Sequence, residues 1–296
     1  MNISQPLFSS MHTHTTFCDG KDNIETMCRA AYEKNLYALG FSAHAPTAKQ
    51  IGRESGWNLK ENQVDEYIAE VLAAKKRWHE KLNVFLGYEA DYIKGRRSPL
   101  DSDITSLNLD YIIGSVHDLN TGGSELFSID GPAEQFKKGL EDYFEGDAQK
   151  LMHKYYDAIM EMILGGGFDI LGHTDLIKMN CQGKYYWPQE TETKRQREIA
   201  QAAAQAGLVI EVNTGGINRK KTNEVYPSLS FLNIIREFDI PLIITADAHC
   251  AKDIIGNYDI ALQTLDSANF NEHVIFDGKI NGKALWKKVK ISKKLI

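Results

Sequence analysis

Along the chain, short runs dense in aliphatic and aromatic residues alternate with longer stretches whose apolar positions recur every three or four residues. The short runs predict strands over 7–14, 37–44, 83–92, 109–117, 168–176, 208–214 and 241–249. The longer stretches predict helices over 23–35, 62–82, 148–166, 190–207 and 228–238. The first of these follows Asp22 as a candidate cap. The second carries Val64, Ile68, Val71 and Leu72 at helical spacing, and the third and fourth end in glycine. Strand–helix alternation of this kind predicts parallel strands joined by crossover helices, hence an α/β barrel or a doubly wound sheet. Segments 45–61 and 118–147 read as inserted loops or short helices, and "TGGSELFSIDGP" (121–132) carries strong turn chemistry. With no internal repeat and no low-complexity linker, one domain over 1–296 is expected.

Composition narrows the partners. The 296 residues are 43% hydrophobic and 25% charged, enough to bury a large core. A formal net charge of −6 supplies no basic field, so neither nucleic acid nor an anionic membrane is an expected partner. The one basic cluster, "KKVKISKK" (287–294), reads as a solvated C-terminal segment. Cys18, Cys28, Cys181 and Cys250 form no C-x-x-C pair, which suits a reducing compartment. The stretch "MNISQPLFSS" lacks signal-peptide character and no apolar run is long enough to span a bilayer. A cytoplasmic location is expected.

The predicted strands end in unusual residues. His12 and His14 close the first, His44 the second, Glu89 the third and His117 the fourth. His173 and Asp175 close the fifth, Glu211 and Asn213 the sixth, and Asp247 and His249 the seventh. In a parallel α/β barrel the carboxyl ends of the strands converge on one face, so six of the nine histidines would meet there. Residues two apart on a strand share a face roughly 6.5 Å apart. Imidazoles at that spacing in "HTH" and "DAH" can lean together onto one ion at about 2.0–2.1 Å. Histidines with carboxylates and no thiolate motif suit zinc, manganese or iron, and the number of donors exceeds what one ion needs. A lone H-x-H is usually incidental; the constellation carries the weight. His79, His153 and His273 read as structural or solvent-facing, and Cys18 and Cys250 as small buried residues.

Seven stretches then resemble a known family. They are "HTHTTFCDG" (12–20), "FSAHAP" (41–46), "GYEADY" (87–92), "GSVHDL" (114–119), "GHTDLIK" (172–178), "EVNTGG" (211–216) and "ADAH" (246–249). Together they resemble the motifs of the PHP superfamily, most closely its histidinol-phosphate phosphatases. The resemblance implies a distorted (β/α)7 barrel with its active site at the C-terminal ends of the strands. It also implies two to three divalent transition-metal ions, commonly zinc, iron or manganese. By motif, His12, His14, Glu89 and Asp247 would hold the first; Asp19, His44 and His249 the second; Glu89, His117 and His173 the third, with Glu89 bridging. Asp19 stands where many members have histidine, which lowers the positive charge of the site.

The implied reaction is hydrolysis of a small phosphomonoester, L-histidinol phosphate, with Asp247, His249 and Glu89 at the catalytic centre. Metal ions offset the phosphate charge, and a hydroxide held between two of them can attack phosphorus in line. Arg219, Lys220 and Lys178 are candidate phosphate clamps. Asn213 either binds substrate or fixes its strand end, and Asp175 is a candidate proton source for the leaving alcohol. An acidic, partly aromatic pocket is expected for histidinol, with "YYWP" (185–188) and "GWN" (56–58) as candidate loops. The rival readings are a PHP phosphoesterase acting on nucleotides or nucleic-acid ends, and a non-catalytic metal-binding barrel. Oligomeric state is not legible from the sequence.

Overall fold

A computed structural model describes residues 8–47, 51 and 55–291. Residue 7 of the first predicted strand, residues 48–50 and 52–54 of the predicted insertion and residues 292–294 of the basic cluster lie outside the described residues. The strands run in chain order as β1 (Ser9–Ser10), β2 (Ala38–His44), β3 (Asn83–Asp91), β4 (Tyr111–Ser115), β5 (Asp118–Asn120) and β6 (Leu126–Ser128). They continue with β7 (Ile170–Leu171), β8 (Val209–Asn213), β9 (Leu242–Thr245), β10 (Glu272–Ile280) and β11 (Lys283–Lys290). Each of the seven predicted strand segments contains one of them.

Those seven, β1, β2, β3, β4, β7, β8 and β9, hydrogen-bond side by side in that order and all in parallel. β10 joins β9 in parallel at Val274 and Ile243, and β11 returns antiparallel along β10. β5 and β6 make a separate antiparallel ribbon. Every residue of β2, β8 and β9 is buried, as expected of parallel strands covered on both faces. Beyond the strand ends, the His14 N–H donates to the Ala248 carbonyl (2.9 Å) and the Ala248 N–H to the His12 carbonyl (3.1 Å). The chain leaving β1 therefore lies against the chain leaving β9, and "HTH" meets "DAH".

Helices at Ile24–Glu33, Val64–Trp78, Ala148–Gly165, Gln189–Ala206 and Leu229–Arg236 occupy the predicted segments. The first buries Ile24, Met27, Cys28 and Ala31, an i, i+3, i+4, i+7 stripe. Its cap corrects the expectation: Asn23, one residue past Asp22, accepts from the Thr26 N–H at 2.9 Å. Asp22 instead accepts from the Ala251 N–H at 2.8 Å, tying this loop to the one after β9. Helices at Ala133–Phe144 and Tyr258–Ser267 are additional to the predicted set, the former within 118–147.

Two cores result. The larger lies between strands and helices; the smaller joins Met11, Tyr111, Ile113, Ile170, Val209 and Ile243 to Val274 and Phe276 of β10. The β10–β11 hairpin corrects the reading of the C-terminal region as a solvated segment. Residues 287–290 belong to β11, where Val289 is buried while Lys287, Lys288 and Lys290 stay exposed. Alternation turns Lys288 and Lys290 away from the face that buries Val289, and Lys287, on that same face, extends its ammonium over the Tyr37 ring.

Gly40 of β2 shows how tightly the inner core is filled. A Cβ there would lie 2.4 Å from the Tyr111 hydroxyl oxygen and 2.5 Å from Met11 Cε. That hydroxyl donates to the Met11 carbonyl at 2.6 Å. Gly40→Ala is expected to destabilise the protein by about 1–3 kcal/mol, measured by urea unfolding, because overpacked cores strain rather than collapse.

Candidate metal centre

The parallel register brings the polar strand ends level. His44 pairs directly with Glu89 across β2 and β3. His12, His14, His44, Glu89, His117, His173 and Asp247 are all buried. Asp19 reaches the cluster from a tight turn in which the Cys18 and Gly20 N–H groups donate to the Thr15 carbonyl (2.9 and 3.0 Å). A Cβ on Gly20 would fall 2.5 Å from the backbone of His14 and Thr15, so only glycine permits this close approach. Asp247 sits in the left-handed region at φ 48°, which turns its carboxylate back toward "HTH".

Glu89 is the hub. Its Oε2 lies 3.1 Å from His12 Nε2, 3.1 Å from His44 Nδ1 and 3.6 Å from His14 Nε2. Its Oε1 lies 3.0 Å from His173 Nε2 and 3.4 Å from His117 Nε2. Asp247 Oδ1 is 3.3 Å from His14 Nε2 and 3.7 Å from His12 Nε2. On the outer side, Asp19 lies 2.9 Å from His249, 3.6 Å from His14 and 3.8 Å from His44.

These contacts have the character of ligand sets. His12 Nε2, His44 Nδ1 and Glu89 Oε2 are buried and close, yet none is aligned with a hydrogen-bond partner. Four donors about 2.05 Å from a tetrahedral ion stand about 3.4 Å from one another. The observed separations bracket that value. Four groups offer atoms to a common point: His14, Asp19, His44 and His249; His12, His14 and Asp247; His12, Glu89 and His173; His44, Glu89 and His117. All nine sequence-derived donors enter at least one group.

The electrostatics point the same way. Burial disfavours the charged form of Glu89, but His12, His44 and His117 outweigh it and hold the carboxyl well below its usual range. Burial likewise opposes ionisation of Asp247, and Arg219 and His12 reverse the balance. His12 and His117 lose by burial and gain more from the carboxylates, so both are raised. Burial, with His249 and His44 beside it, lowers His14 to about 3, leaving a neutral imidazole suited to ligation. Buried carboxylates at this density require cations.

Two residues orient the imidazoles, a role the sequence assigns to neither: Glu211 is read there only as a strand end and Asp91 only as part of "GYEADY". Asp91 Oδ1 lies 2.6 Å from His117 Nδ1, and Glu211 Oε2 lies 2.9 Å from His12 Nδ1. Each leaves the opposite ring nitrogen facing Glu89. Glu211 also accepts from the His173 N–H (2.6 Å) and the Thr245 hydroxyl (2.8 Å). The available signal was an ionisable residue two positions from Glu89 on one strand, and another inside β8. Asp91→Asn is expected to lower metal affinity about 10- to 100-fold, checked by metal content after dialysis against graded chelator.

The candidate substrate residues separate. Arg219 reaches the cluster: its Nη2 donates to Asp247 Oδ2 at 2.9 Å and its Nη1 lies 3.1 Å from His249 Nδ1. Lys220 is exposed in a left-handed conformation and enters none of these contacts. Lys178 is mostly buried; its ammonium donates to Ser228 Oγ (2.6 Å) and pairs with Asp175 Oδ2 (3.3 Å). The Ser228 N–H also donates to that Asp175 oxygen, at 2.9 Å. Asn213 fixes its strand end, donating to Glu211 Oε1 (2.9 Å) and accepting from the Gly215 N–H (2.7 Å). Trp57 of "GWN" lines a cavity of about 470 Å³ with Phe127, Tyr143, Asp118 and Asp142. Of "YYWP", Tyr186 is 79% exposed and Trp187 packs on the core.

The sequence profile described as PHP domain matches residues 10–215, which contain all the donors except Asp247 and His249. The chain is 29% identical to a Deinococcus radiodurans protein named "Probable histidinol-phosphatase", over 80% of this chain and 85% of that protein. It is 25% identical to the histidinol-phosphatase of Bacillus subtilis, over 85% of this chain and 97% of that one. The crystal structure of Lactococcus lactis histidinol phosphate phosphatase complexed with zinc, L-histidinol and phosphate shares the fold. Its TM-score is 0.65 at 19% identity, over 92% of this chain and 97% of that chain. With the donor cluster, the motifs and the profile in agreement, this chain belongs to the PHP domain family.

Proposed function

We infer that the protein is a phosphoric monoester hydrolase that converts L-histidinol phosphate to L-histidinol and phosphate. The observation that carries the reading is the Glu89-centred cluster, in which His12 Nε2, His44 Nδ1 and Glu89 Oε2 are buried and face one another without hydrogen-bond alignment. The names of the relatives supply the substrate. Two to three divalent transition-metal ions fit the donor set, with zinc, manganese or iron preferred by its mixture of imidazole and carboxylate. His12, His14, Glu89 and Asp247 would hold one, Asp19, His44 and His249 a second, and Glu89, His117 and His173 a third. Bound there, such ions supply charge to offset the phosphate dianion and lower the pKa of a water toward about 7.

The chain's own residues do the rest. Glu89 sets the spacing of the donors, because one carboxylate reaches both sides of the cluster. Asp247 and His249 hold the outer face, and Arg219, anchored on Asp247, presents its guanidinium to phosphate oxygens. Asp91 and Glu211 fix the imidazoles of His117 and His12, so that little reorganisation accompanies reaction. The hydrogen bonds between Thr13-flanking residues and Ala248 support closure of the seven parallel strands into a distorted (β/α)7 barrel. A larger core running from Ile24 to Ala268 supports one domain over 1–296. Four free cysteines accord with a cytoplasmic enzyme, and among the described residues no helix is long and apolar enough to cross a membrane.

Arg219→Ala is expected to raise KM for the phosphoester about tenfold or more, since a charge-assisted contact to phosphate is lost. Steady-state kinetics measure it. A panel of L-histidinol phosphate, nucleoside monophosphates and short oligonucleotides tests the substrate. Clear preference for histidinol phosphate is expected, and equal slow rates across the panel would falsify the assignment.

A further inference from the structure

A phosphomonoesterase site of this design binds the phosphate, yet L-histidinol phosphate differs from other phosphomonoesters in its other end. It carries an ammonium group on the carbon next to the ester CH2. A site that selects it needs an anionic acceptor near the phosphate that neither the donor cluster nor an existing ion pair consumes. Glu89, Asp91, Glu211, Asp247 and Asp19 are all engaged with histidines. Asp175 is engaged with Lys178 and the Ser228 N–H.

Asp130 meets the requirement. It lies in the turn between β6 and the helix Ala133–Phe144, and the turn is clamped against the centre. The Ile129 N–H donates to the His117 carbonyl at 2.7 Å. The Asn180 side-chain amide donates to the carbonyls on both sides of Asp130, those of Ile129 and Gly131, at 3.0 Å each. Ile129 and Asn180 are buried, whereas Asp130 is exposed. The backbone of Asp130 is therefore held rigidly one residue from a pairing partner of His117, with its carboxylate open to solvent. Its hydrogen bond among the described residues is with the neighbouring Ser128 hydroxyl, at 3.2 Å, and it forms no ion pair there. The Ile129–His117 hydrogen bond sets this turn, and with it Asp130, directly beside the donor cluster where the phosphate would sit.

We propose that Asp130 is a specificity-determining residue, its carboxylate accepting a hydrogen bond from the ammonium group of an amino-alcohol phosphate whose phosphate lies at Arg219 and the donor cluster. The substrate class is a phosphomonoester with a cationic nitrogen two carbons from the ester oxygen. Nucleotides lack that group, which separates the two families of substrate by chemistry rather than by size. The proposal rests on the phosphatase reading above and adds to it the residue that chooses among phosphoesters.

The experiment compares two nearly isosteric probes, O-phosphoethanolamine and propyl phosphate, in which an ammonium is exchanged for a methyl group. kcat/KM is measured for both, and for L-histidinol phosphate, with the metal-loaded wild type, Asp130→Asn and Asp130→Glu. The wild type is expected to favour the ammonium probe. In Asp130→Asn that ratio should fall about tenfold or more, through KM rather than kcat, as loss of a charged hydrogen bond implies. Asp130→Glu should recover part of it, which a merely structural role would not produce. An unchanged ratio in Asp130→Asn overturns the proposal. A wild type that hydrolyses the probes but not L-histidinol phosphate overturns the substrate reading instead, and the two failures are told apart by the probe ratio.

Discussion

Glu89→Gln is expected to cut phosphatase turnover by a thousandfold or more while leaving a folded protein. Glu89 is 1% exposed, and its two oxygens together lie within 3.6 Å of five imidazoles. The amide keeps the volume but removes the negative charge and replaces one acceptor oxygen with a donor NH2 group. Donors from β1, β2, β4 and β7 then lose the anion that holds them at common points. Charge stabilisation by bound cations is worth several kcal/mol in reactions of this kind, and each 1.36 kcal/mol is tenfold in rate. Steady-state kinetics combined with metal analysis check it. Full activity at normal metal content would show that the cluster is not the catalytic centre. His14→Ala and Asp247→Ala should behave alike, since each removes a donor from the same point.

The second large effect is expected from chelation. Removing bound metal should abolish activity and lower the melting temperature by roughly 5–15 °C. An ion present at about a thousand times its Kd stabilises a protein by about 4 kcal/mol. Each kcal/mol moves the midpoint of a domain somewhat smaller than this one by roughly 2–4 °C. The physical origin is visible in the carboxylates Glu89, Asp247 and Glu211, which are packed together with little exposure. Without cations, protonated histidines must compensate them, as the raised His12 and His117 record. Zinc, manganese or ferrous ions should restore both properties, whereas magnesium should not, because it prefers oxygen ligands and retains its waters. Calorimetry and activity on one chelated sample decide it. A chelated protein with undiminished melting temperature and turnover would remove the basis for a metal-dependent mechanism.

Much of the architecture was legible locally. Helical periodicity and short apolar runs located the seven parallel strands because burial on both faces leaves no polar alternation to confuse them. The β10–β11 hairpin was also locally encoded and passed over. Asn281 and Gly282, both at positive φ, form a two-residue turn of the kind Asn-Gly favours between strands. The lysines that follow give the segment a charged composition, while buried Val289 and half-buried Ala284, Leu285 and Trp286 set the strand. The Ala133–Phe144 helix was obscured by the turn-rich stretch before it, although Phe136, Leu140 and Phe144 recur every four residues.

Residue type and strand register by themselves determined that His12, His14, His44, Glu89, His117, His173, Asp247 and His249 would converge, because parallel strands must present their carboxyl ends on one side. Asp19 joined them through the family pattern, and its turn depends on a glycine that can approach the backbone of His14. Only the tertiary structure decided which nitrogen of His12 and of His117 faces Glu89, since that follows from where Glu211 and Asp91 stand on other strands. It likewise separated Arg219, which reaches Asp247, from its neighbour Lys220, and set Asp130 beside the centre through the bonds its neighbours Ile129 and Gly131 make with His117 and Asn180. Periodicity reports which face a side chain occupies; a hydrogen bond across 26 or 199 residues of chain depends on how the strands are brought together.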